Sequence, residues 1–391
     1  MNVKMKSQML LGNPFLYYSV TFLIAIVLSE LHWTALYPEA SLITVNFFLI
    51  SSFLCIVLAY VFRKRCIYLD VISPLRFYSK IKKYIYLTFM LLAIECLYHR
   101  TIPILGYFTG SVDAGLYKEF GIPFLHVIVV NSIMFLFYIS SYCYFSIGGG
   151  KNKYLKITIL LLFSPLLFMN RAMVMYMIFA LFLLYMMSRK SFIKSLVTII
   201  LSGLLIMYLF GLTGNMRNGD YTGDYIMSVG GATDEFKESF IPKEFFWTYV
   251  YLSTPLGNLQ NAINEKKKFK EDETGPGHVF VSDILPQFIS KRLGVKSDDV
   301  SRYLVVEHLT VGTTYIDAYV HWGWAGMWMV FAALVIYTSF MLLKIPIGSL
   351  VHVPLLCVLS TMFFFSSFAN MIVYMGLFPQ LVFIYLLRHV K

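Results

Sequence analysis

Cysteine is scarce in this sequence, and charged residues are few. The 391 residues include five cysteines, all in apolar segments or in the short basic loops between them. Residues 214–312, the longest polar stretch, contain none, which excludes a disulfide framework or a thiolate metal site there. Only 14% of the residues are charged and 58% are hydrophobic, more than a water-soluble core of this length requires. These proportions indicate an integral membrane protein.

The chain also lacks the motifs by which many soluble enzymes are recognised. It has no Gly-rich phosphate loop, no zinc-type histidine cluster and no Gly-x-Ser-x-Gly turn for a nucleophilic serine. No Asp-x-Asp pair lies in the first predicted outer loop, residues 32–40, and the adjacent Asp298 and Asp299 would point apart on a helix. We therefore expect a chemistry that uses neither a metal ion nor a cofactor.

Long apolar runs, by contrast, are abundant. A helix of about 20 apolar residues crosses the ~30 Å hydrocarbon layer of a membrane. About ten runs of this kind occur, at 15–32, 41–62, 84–99, 122–147, 155–170, 172–187, 192–213, 314–343, 349–368 and 371–388. They predict an all-α polytopic membrane protein with about ten transmembrane helices. The fifth and sixth runs meet at Asn170–Arg171, and one bent helix there would reverse the orientation of all that follows.

The basic residues predict how these helices are oriented. With a cytoplasmic N-terminus, the short loops assigned to the cytoplasm hold 18 of the 32 lysines and arginines, and Asp70 is their one acid. Positive charge on the cytoplasmic side is the usual bias of multi-pass membrane proteins. Both termini are therefore predicted to be cytoplasmic. The basic composition indicates contact with anionic lipid rather than with nucleic acid.

One predicted outer loop, residues 214–312, is far longer than the others, and we call it the outer segment. It separates seven predicted helices in 1–213 from three in 313–391. Within it, 242–265 and 278–294 have the pattern of amphipathic helices that lie at the outer membrane interface. The first of these carries aromatic side chains that would face lipid or stack on sugars, namely Phe245, Phe246, Trp247, Tyr249 and Tyr251.

Ionisable residues at the outer ends of the predicted helices are the candidates for chemistry. Glu95 and His99 are four residues apart and so share one helical face, and Arg100 follows at the exit of the third helix. A carboxyl group inside a span costs a few kcal/mol unless it faces a cavity or a partner. Glu95 is thus either a catalytic base or a residue that fixes helix packing.

Arginines recur at the same predicted depth. Arg171 stands at the turn between two apolar runs, and Arg217 lies just beyond the end of another. A guanidinium group binds phosphate oxygens at two points, so several together could hold a pyrophosphate, whereas one alone could equally reach for lipid headgroups. Three further candidates for substrate binding precede or begin the eighth helix: Arg302, His308 and Asp317, the last one turn before His321.

Five segments occur in a fixed order over about the last three-quarters of the chain: IPILGYFTG…YKEFGIPFLH, MNRAMVM, FGLTGNMRNGD, YLSTPLGNLQNAI and TTYIDAYVHWGWAGM. In this order, with about ten spans and one large outer loop, the sequence resembles the Wzy-type oligosaccharide repeat-unit polymerases, which build bacterial O-antigen and capsule chains.

The resemblance implies a bacterial inner-membrane glycosyltransferase with GT-C-like architecture. Such an enzyme moves the growing glycan from undecaprenyl pyrophosphate to a new lipid-linked repeat unit on the periplasmic side. It implies functional arginines in outer loops, at the positions of Arg171 and Arg217, and a chain-length-regulating co-polymerase as partner. The related ligases carry a His-Asn pair where this chain has Thr314 and Tyr315, which argues against a ligase.

Two alternatives stay open from the sequence. The first is another lipid-linked glycan enzyme, either an O-antigen ligase or a different polyprenyl-linked glycosyltransferase. The second is a flippase or transporter of lipid-linked oligosaccharides, favoured by Asn46 and Asn131 inside predicted spans. The 99-residue length of the outer segment and the lack of internal repetition argue against a transporter.

Overall fold

The structure is a computed structural model. It describes residues 10–68, 75–110, 120–146, 151–189, 192–217, 219–220, 222–266, 274–294, 303–374 and 376–389. Within these ranges every regular element is a helix, and the extended pairing is limited to an isolated bridge between Thr34 and Ala232. The predicted all-α class is therefore confirmed for the part of the chain that is described.

Eleven longer helices organise the chain. They are α1 (Pro14–Ser29), α2 (Leu42–Phe62), α3 (Leu75–Tyr98), α4 (Leu125–Ser146), α5 (Lys151–Phe163), α6 (Arg171–Ser188), α7 (Phe192–Arg217), α8 (Phe245–Glu265), α9 (Ile316–Lys344), α10 (His352–Phe365) and α11 (Phe378–Leu386). All but α8 coincide with one of the predicted apolar runs, and α8 coincides with the first amphipathic stretch of the outer segment.

Five helices in the described ranges are long and apolar enough to cross a membrane. They span Leu42–Arg65, Leu125–Ser146, Arg171–Ser188, Leu196–Met216 and Ile316–Lys344, and Pro14–Ser29 and His352–Phe365 are shorter apolar helices. This is the pattern of a helical membrane protein. Ten crossings remain a prediction.

The sequence contains the signals that begin and separate these helices. Asn13 caps α1, its side chain accepting from the backbone N–H of Phe15, and Ser41 caps α2 in the same way. The predicted break between the fifth and sixth apolar runs is confirmed. Met169 takes a left-handed conformation (φ 60°) and Asn170 then caps α6, accepting from Met173 N–H at 3.1 Å. Because the chain leaves the helix here, α5 and α6 are separate.

Long-range contacts show that the helix ends fall into two groups. At one end, the N–H of Ser41 donates to Gln260 Oε1 of the outer segment at 3.0 Å. At the opposite end, His352 Nε2 donates to the carbonyl of Arg65 at 2.8 Å, next to a basic loop. We call the first the outer end and the second the inner end. Each of these two contacts joins ends that were predicted to face the same side of a membrane.

Aromatic and polar contacts hold the bundle together between its ends. The Tyr18 and Tyr315 hydroxyls, on α1 and just before α9, are 2.7 Å apart in the buried core. In the same core Phe22 and Phe48 stack with ring centroids 4.5 Å apart. Where little water is available, a buried hydroxyl pair is stabilising because each group would otherwise lack a partner.

The outer segment packs onto the bundle through α8, which contacts α1, α7 and α9. The side chains of Phe246, Trp247 and Tyr249 are 0%, 5% and 3% exposed and form a hydrophobic cluster with the rest of the outer segment. The expectation that they face lipid or sugars is therefore wrong. Their burial is specific, since Trp247 Nε1 donates to the buried Asn215 Oδ1 of α7 at 2.6 Å.

The second predicted amphipathic stretch, 278–294, is not one helix. It is divided into the short turns Pro276–Val279, Phe280–Ile284, Gln287–Ser290 and Lys291–Leu293, the second of them a π-helical turn. Pro286 supplies no N–H and stands at the break. The first two of these turns pack against α9, and Arg292 in the last lies over the ring of Phe124, just before α4.

Candidate active site

Glu95 lies near the outer end of α3 and is completely enclosed, with an exposed fraction of 0%. Its Oε1 accepts from the backbone N–H of Ile122 at 3.2 Å, and its Oε2 lies 3.0 Å from Nδ1 of His126. Both carboxylate oxygens therefore have a donor, which offsets the cost of holding the group away from water. A substrate hydroxyl has no access to this carboxylate, so Glu95 can influence chemistry only through His126.

His126 is the member of this pair that reaches the surface, with 26% of its side chain exposed. An ionised carboxylate only accepts hydrogen bonds, so the contact with Glu95 assigns the proton of the neutral imidazole to Nδ1. Nε2 then carries the lone pair. A buried carboxylate that orients a partly exposed imidazole is the arrangement that general bases use in many enzymes.

The backbone before α4 fixes the position of the imidazole. Gly121 has φ +108°, and a Cβ atom there would lie 2.4 Å from the ring of His126, so only glycine fits. The N–H of Gly121 donates to Nε2 of His99 at 3.0 Å. The rings of Phe120 and Phe168 meet the imidazole edge-on, with centroids 5.7 and 5.4 Å away. His99 thus has a supporting place in the site, one turn after Glu95 as predicted.

Two of the predicted arginines stand on turns that adjoin this pair. Arg100 is exposed and lies in the turn two residues after the end of α3, with φ 54°. Arg171 is exposed and begins α6, three residues after Phe168, whose ring touches His126. The short helix Pro103–Phe108 packs against the turn Ser164–Phe168, so both arginine-bearing turns belong to the same part of the outer end.

A third arginine, which the sequence did not indicate, also adjoins the pair. The guanidinium carbon of Arg292, in the outer segment, lies 4.2 Å from the ring centroid of Phe124, two residues before His126. This contact is a cation–π interaction. Arg292 falls in the stretch predicted as an amphipathic helix, and that pattern alone gave no reason to place it near α4.

The remaining predicted residues lie elsewhere. Arg217 ends α7, where Asn215 binds Trp247 at the start of α8, and its side chain is outside the described part of the chain. Arg302 is likewise outside the described residues. His308 is exposed, in the stretch where the Asn258 amide donates to the carbonyls of Leu309 and Val311. No described contact joins these residues to Glu95.

A second histidine–carboxylate pair lies beside the start of α9. His321, one turn after the partly buried Asp317, has its Nδ1 3.1 Å from Oδ2 of Asp283, and both side chains are almost fully buried. The ring of His278 packs against His321 with centroids 4.3 Å apart. The His321 carbonyl accepts from the N–H groups of Thr274 and Gly275. This pair therefore anchors the outer segment to α9.

Replacing His321 with alanine is expected to loosen residues 274–290. The change leaves the Asp283 carboxylate buried without its imidazole partner, which costs about 3–5 kcal/mol in comparable pairs. Hydrogen–deuterium exchange of the purified protein should show faster exchange in this stretch. His308→Ala, at an exposed histidine, should leave the exchange unchanged. Equal protection in His321→Ala and the unaltered protein would mean that the pair does not anchor the segment.

Comparison with protein-family models, with curated proteins and with solved structures finds no match to this chain. The described residues hold no group of three or more His, Cys, Asp or Glu side chains arranged to bind a metal ion. The chemistry available to the site is therefore inferred from the positions of its side chains. It offers an oriented imidazole, partly open to the surface, beside turns that carry exposed guanidinium groups.

Proposed function

We propose that this protein is a membrane glycosyltransferase that polymerises lipid-linked oligosaccharide repeat units. It transfers the growing glycan from undecaprenyl pyrophosphate to a new repeat unit on the periplasmic side of a bacterial inner membrane. The observation that carries the proposal is the Glu95–His126 pair, with His126 Nδ1 3.0 Å from the enclosed carboxylate, beside the turns of Arg100 and Arg171. Support also comes from the sequence resemblance to Wzy-type polymerases.

The proposed reaction needs one base and one site for an anionic leaving group. The hydroxyl of the acceptor unit attacks the anomeric carbon of the donor glycan, and its proton passes to Nε2 of His126. The bond from that carbon to the pyrophosphate oxygen breaks, and its electron pair leaves with undecaprenyl pyrophosphate. Glu95 holds the imidazole and stabilises the positive charge that it gains. Arg100, Arg171 and Arg292 stabilise the charge that develops on the pyrophosphate.

This chemistry requires the site to open to the periplasm. The proposed architecture is GT-C-like, with ten crossings, both termini in the cytoplasm and the outer segment covering the sugars. The lipid tails enter sideways between helices, while the diphosphate stays at the depth of the arginines. A co-polymerase that sets chain length is the proposed protein partner, and membrane lipids are in contact throughout. The reaction needs no metal ion and no nucleotide.

Transport of lipid-linked sugars is the alternative from a different class. Asn131, one of the two asparagines that favoured it, is buried in α4, where its Oδ1 accepts from the Gln380 amide of α11 at 2.8 Å. This bond gives Asn131 a role in joining two helices. Asn131 therefore gives no support to a substrate pathway. This favours an enzyme over a transporter.

Cells that lack the protein separate the proposed function from its rivals. Loss of a polymerase leaves single repeat units attached to lipid A, loss of a ligase leaves none, and loss of a flippase leaves the units on the cytoplasmic face. We expect single units on a polysaccharide gel, restored to a ladder by the intact gene. Absence of glycan from lipid A would contradict the proposal.

Arg217→Ala is expected to reduce polymer yield about tenfold while leaving membrane insertion intact. The reason is the role in binding the lipid diphosphate that the resemblance to Wzy-type polymerases implies for Arg217, in addition to the arginines beside His126. Gel ladders from cells with matched protein levels measure the effect. Lys237→Ala is the control, because Lys237 makes only an exposed ion pair with Asp234 in the outer segment. A normal ladder in Arg217→Ala would remove Arg217 from the mechanism.

A further inference from the structure

A cavity of about 270 Å³ opens at the outer end, between the loop that joins α1 to α2 and the middle of α8. Its lining includes the carboxylates of Glu30 and Glu39, the rings of Tyr37 and Tyr249, and the amide of Gln260. It shares no lining residue with the Glu95–His126 site. We propose that this cavity binds one neutral or amino sugar residue of the glycan substrate, a proposal that rests on the proposed function for the source of that sugar.

The size and lining of the cavity fit a single sugar ring. Sites for drug-sized ligands occupy about 300–1,000 Å³, so a cavity just below that range suits one hexose. Carboxylate oxygens accept hydrogen bonds from hydroxyl groups, and charged acceptors make the stronger bonds. The ring of the half-buried Tyr37 offers an apolar face for the C–H side of a sugar. Glu30 and Glu39 are exposed at this cavity and supply such acceptors.

Contacts within the protein hold the two tyrosines that line the cavity, Tyr37 and Tyr249. The Tyr37 and Thr254 hydroxyls are 2.6 Å apart, and Tyr249 accepts from the N–H of Trp33 at 3.2 Å. A Cβ atom on Gly257 would lie 2.8 Å from the Tyr37 ring, so the glycine lets the ring lie against α8. A site whose side chains are already held loses less conformational freedom on binding. This arrangement favours recognition of one ring in one orientation.

Charge decides which sugars the cavity accepts. Two carboxylates line it, and no lysine or arginine is among the described residues of the lining. His32, the remaining ionisable lining side chain apart from the tyrosines, has its Nδ1 2.8 Å from the carbonyl of Glu30. An anionic ligand such as a uronic acid or a pyrophosphate is repelled here, whereas a hydroxyl or an ammonium group is attracted. The diphosphate therefore belongs to the arginine-bearing turns and the sugar to this cavity.

Saturation-transfer NMR on the full-length protein in lipid nanodiscs tests the proposal. The probes are the methyl glycosides of glucose, glucosamine and glucuronic acid, which differ mainly in charge. We expect the first two to bind at least about tenfold more tightly than the uronide, since two carboxylates each repel it at close range. Equal affinity for the uronide, or no binding of any probe, would overturn the proposal.

Substitutions of the lining residues test whether the glycosides bind in this cavity. Joint replacement Glu30→Gln and Glu39→Gln should bring the affinity for the uronide close to that for the glucoside. The same change at Glu235 and Glu238, exposed acids of the outer segment, should preserve the discrimination. Gly257→Ala should weaken all three probes, because it displaces Tyr37. Discrimination that survives in the first double variant would place the binding elsewhere and overturn the proposal.

The measurement is independent of polymerisation. No lipid-linked donor is present, so a protein that binds glycosides but joins no repeat units would refute the proposed function and leave the sugar site standing. A protein that polymerises repeat units but binds none of the probes would refute the sugar site alone.

Discussion

Replacing His126 with alanine is expected to stop chain growth while the protein remains in the membrane. The change takes away the proposed acceptor of the hydroxyl proton and one of the two donors to the enclosed Glu95 carboxylate, so activity is compared at matched protein levels. General bases contribute about 10²–10⁴-fold to rate. The rate of bond formation by purified protein should fall within this range, and cells should show single repeat units in place of a ladder.

The matched control is His389→Ala, an exposed histidine at the inner end of the chain, which should polymerise normally. Full-length polymer from His126→Ala, at normal protein levels, would remove the histidine from the mechanism.

The substitution Glu95→Gln distinguishes a role of Glu95 in orienting the His126 imidazole from a role in the stability of the fold. The glutamine has the same shape, but the amide nitrogen donates where the carboxylate accepted, so His126 is turned towards the other tautomer. We expect a lower rate with an altered pH profile and an unchanged KM for the lipid-linked donor, because Glu95 makes no contact with it. A purely structural Glu95 would lower protein levels without moving the pH profile.

Arg171→Lys is expected to impair polymerisation although it keeps the positive charge. Lysine supplies a point charge where arginine supplies a planar fork that binds phosphate oxygens at two points. Removal of one group that stabilises a developing anion costs about 10²–10³-fold in rate, so Arg171→Ala should lose that much and Arg171→Lys a part of it. Turnover by purified protein and gel ladders from cells both measure this loss.

Arg189→Lys provides a control on the same helix. Arg189 follows the other end of α6, at the inner end, where its guanidinium carbon lies 4.8 Å from the Tyr185 ring centroid. Its replacement should leave activity intact. Wild-type chain lengths in Arg171→Ala would show that no phosphate contact is made at this turn.

Much of the fold follows from local sequence signals. The run 41–62 is helical over Leu42–Phe62 because Ser41 caps it and apolar residues continue to the basic loop at Arg63. The break at Asn170–Arg171 follows from an asparagine cap after a proline-containing turn. Helix α8 was found from its amphipathic pattern. Each of these features depends on residues only a few positions apart. Such local patterns can be recognised in a single sequence.

The pairings in the site are different, because they join distant positions. Glu95 and His126 are 31 residues apart, and Asp283 and His321 are 38 apart. Nothing local shows which carboxylate will meet which histidine. His126 ends the segment IPFLH at the start of a predicted helix, and that position was a usable signal. Asp283 and Arg292 lie in turns whose course depends on packing against α9 and α4, so no pattern in the chain indicated them.

The burial of the α8 aromatics has the same cause. From the sequence, Phe246 and Trp247 were predicted to lie at the membrane interface, because aromatic side chains are common at that depth. In the fold they pack against Phe236 and the end of α7, both contributed by other parts of the chain. The helix was predictable, but the partner that covers its apolar face was not. Of the predicted site residues, Glu95, His99, Arg100 and Arg171 share one neighbourhood.

Reconstitution of the purified protein with lipid-linked repeat units tests the central claim most directly. We expect glycans of two or more units on a single undecaprenyl pyrophosphate, with one free undecaprenyl pyrophosphate released for each new bond. Activity should be complete in the presence of EDTA. His126→Ala should form no such bond above background. Movement of intact units across the bilayer without any new glycosidic bond would contradict the account.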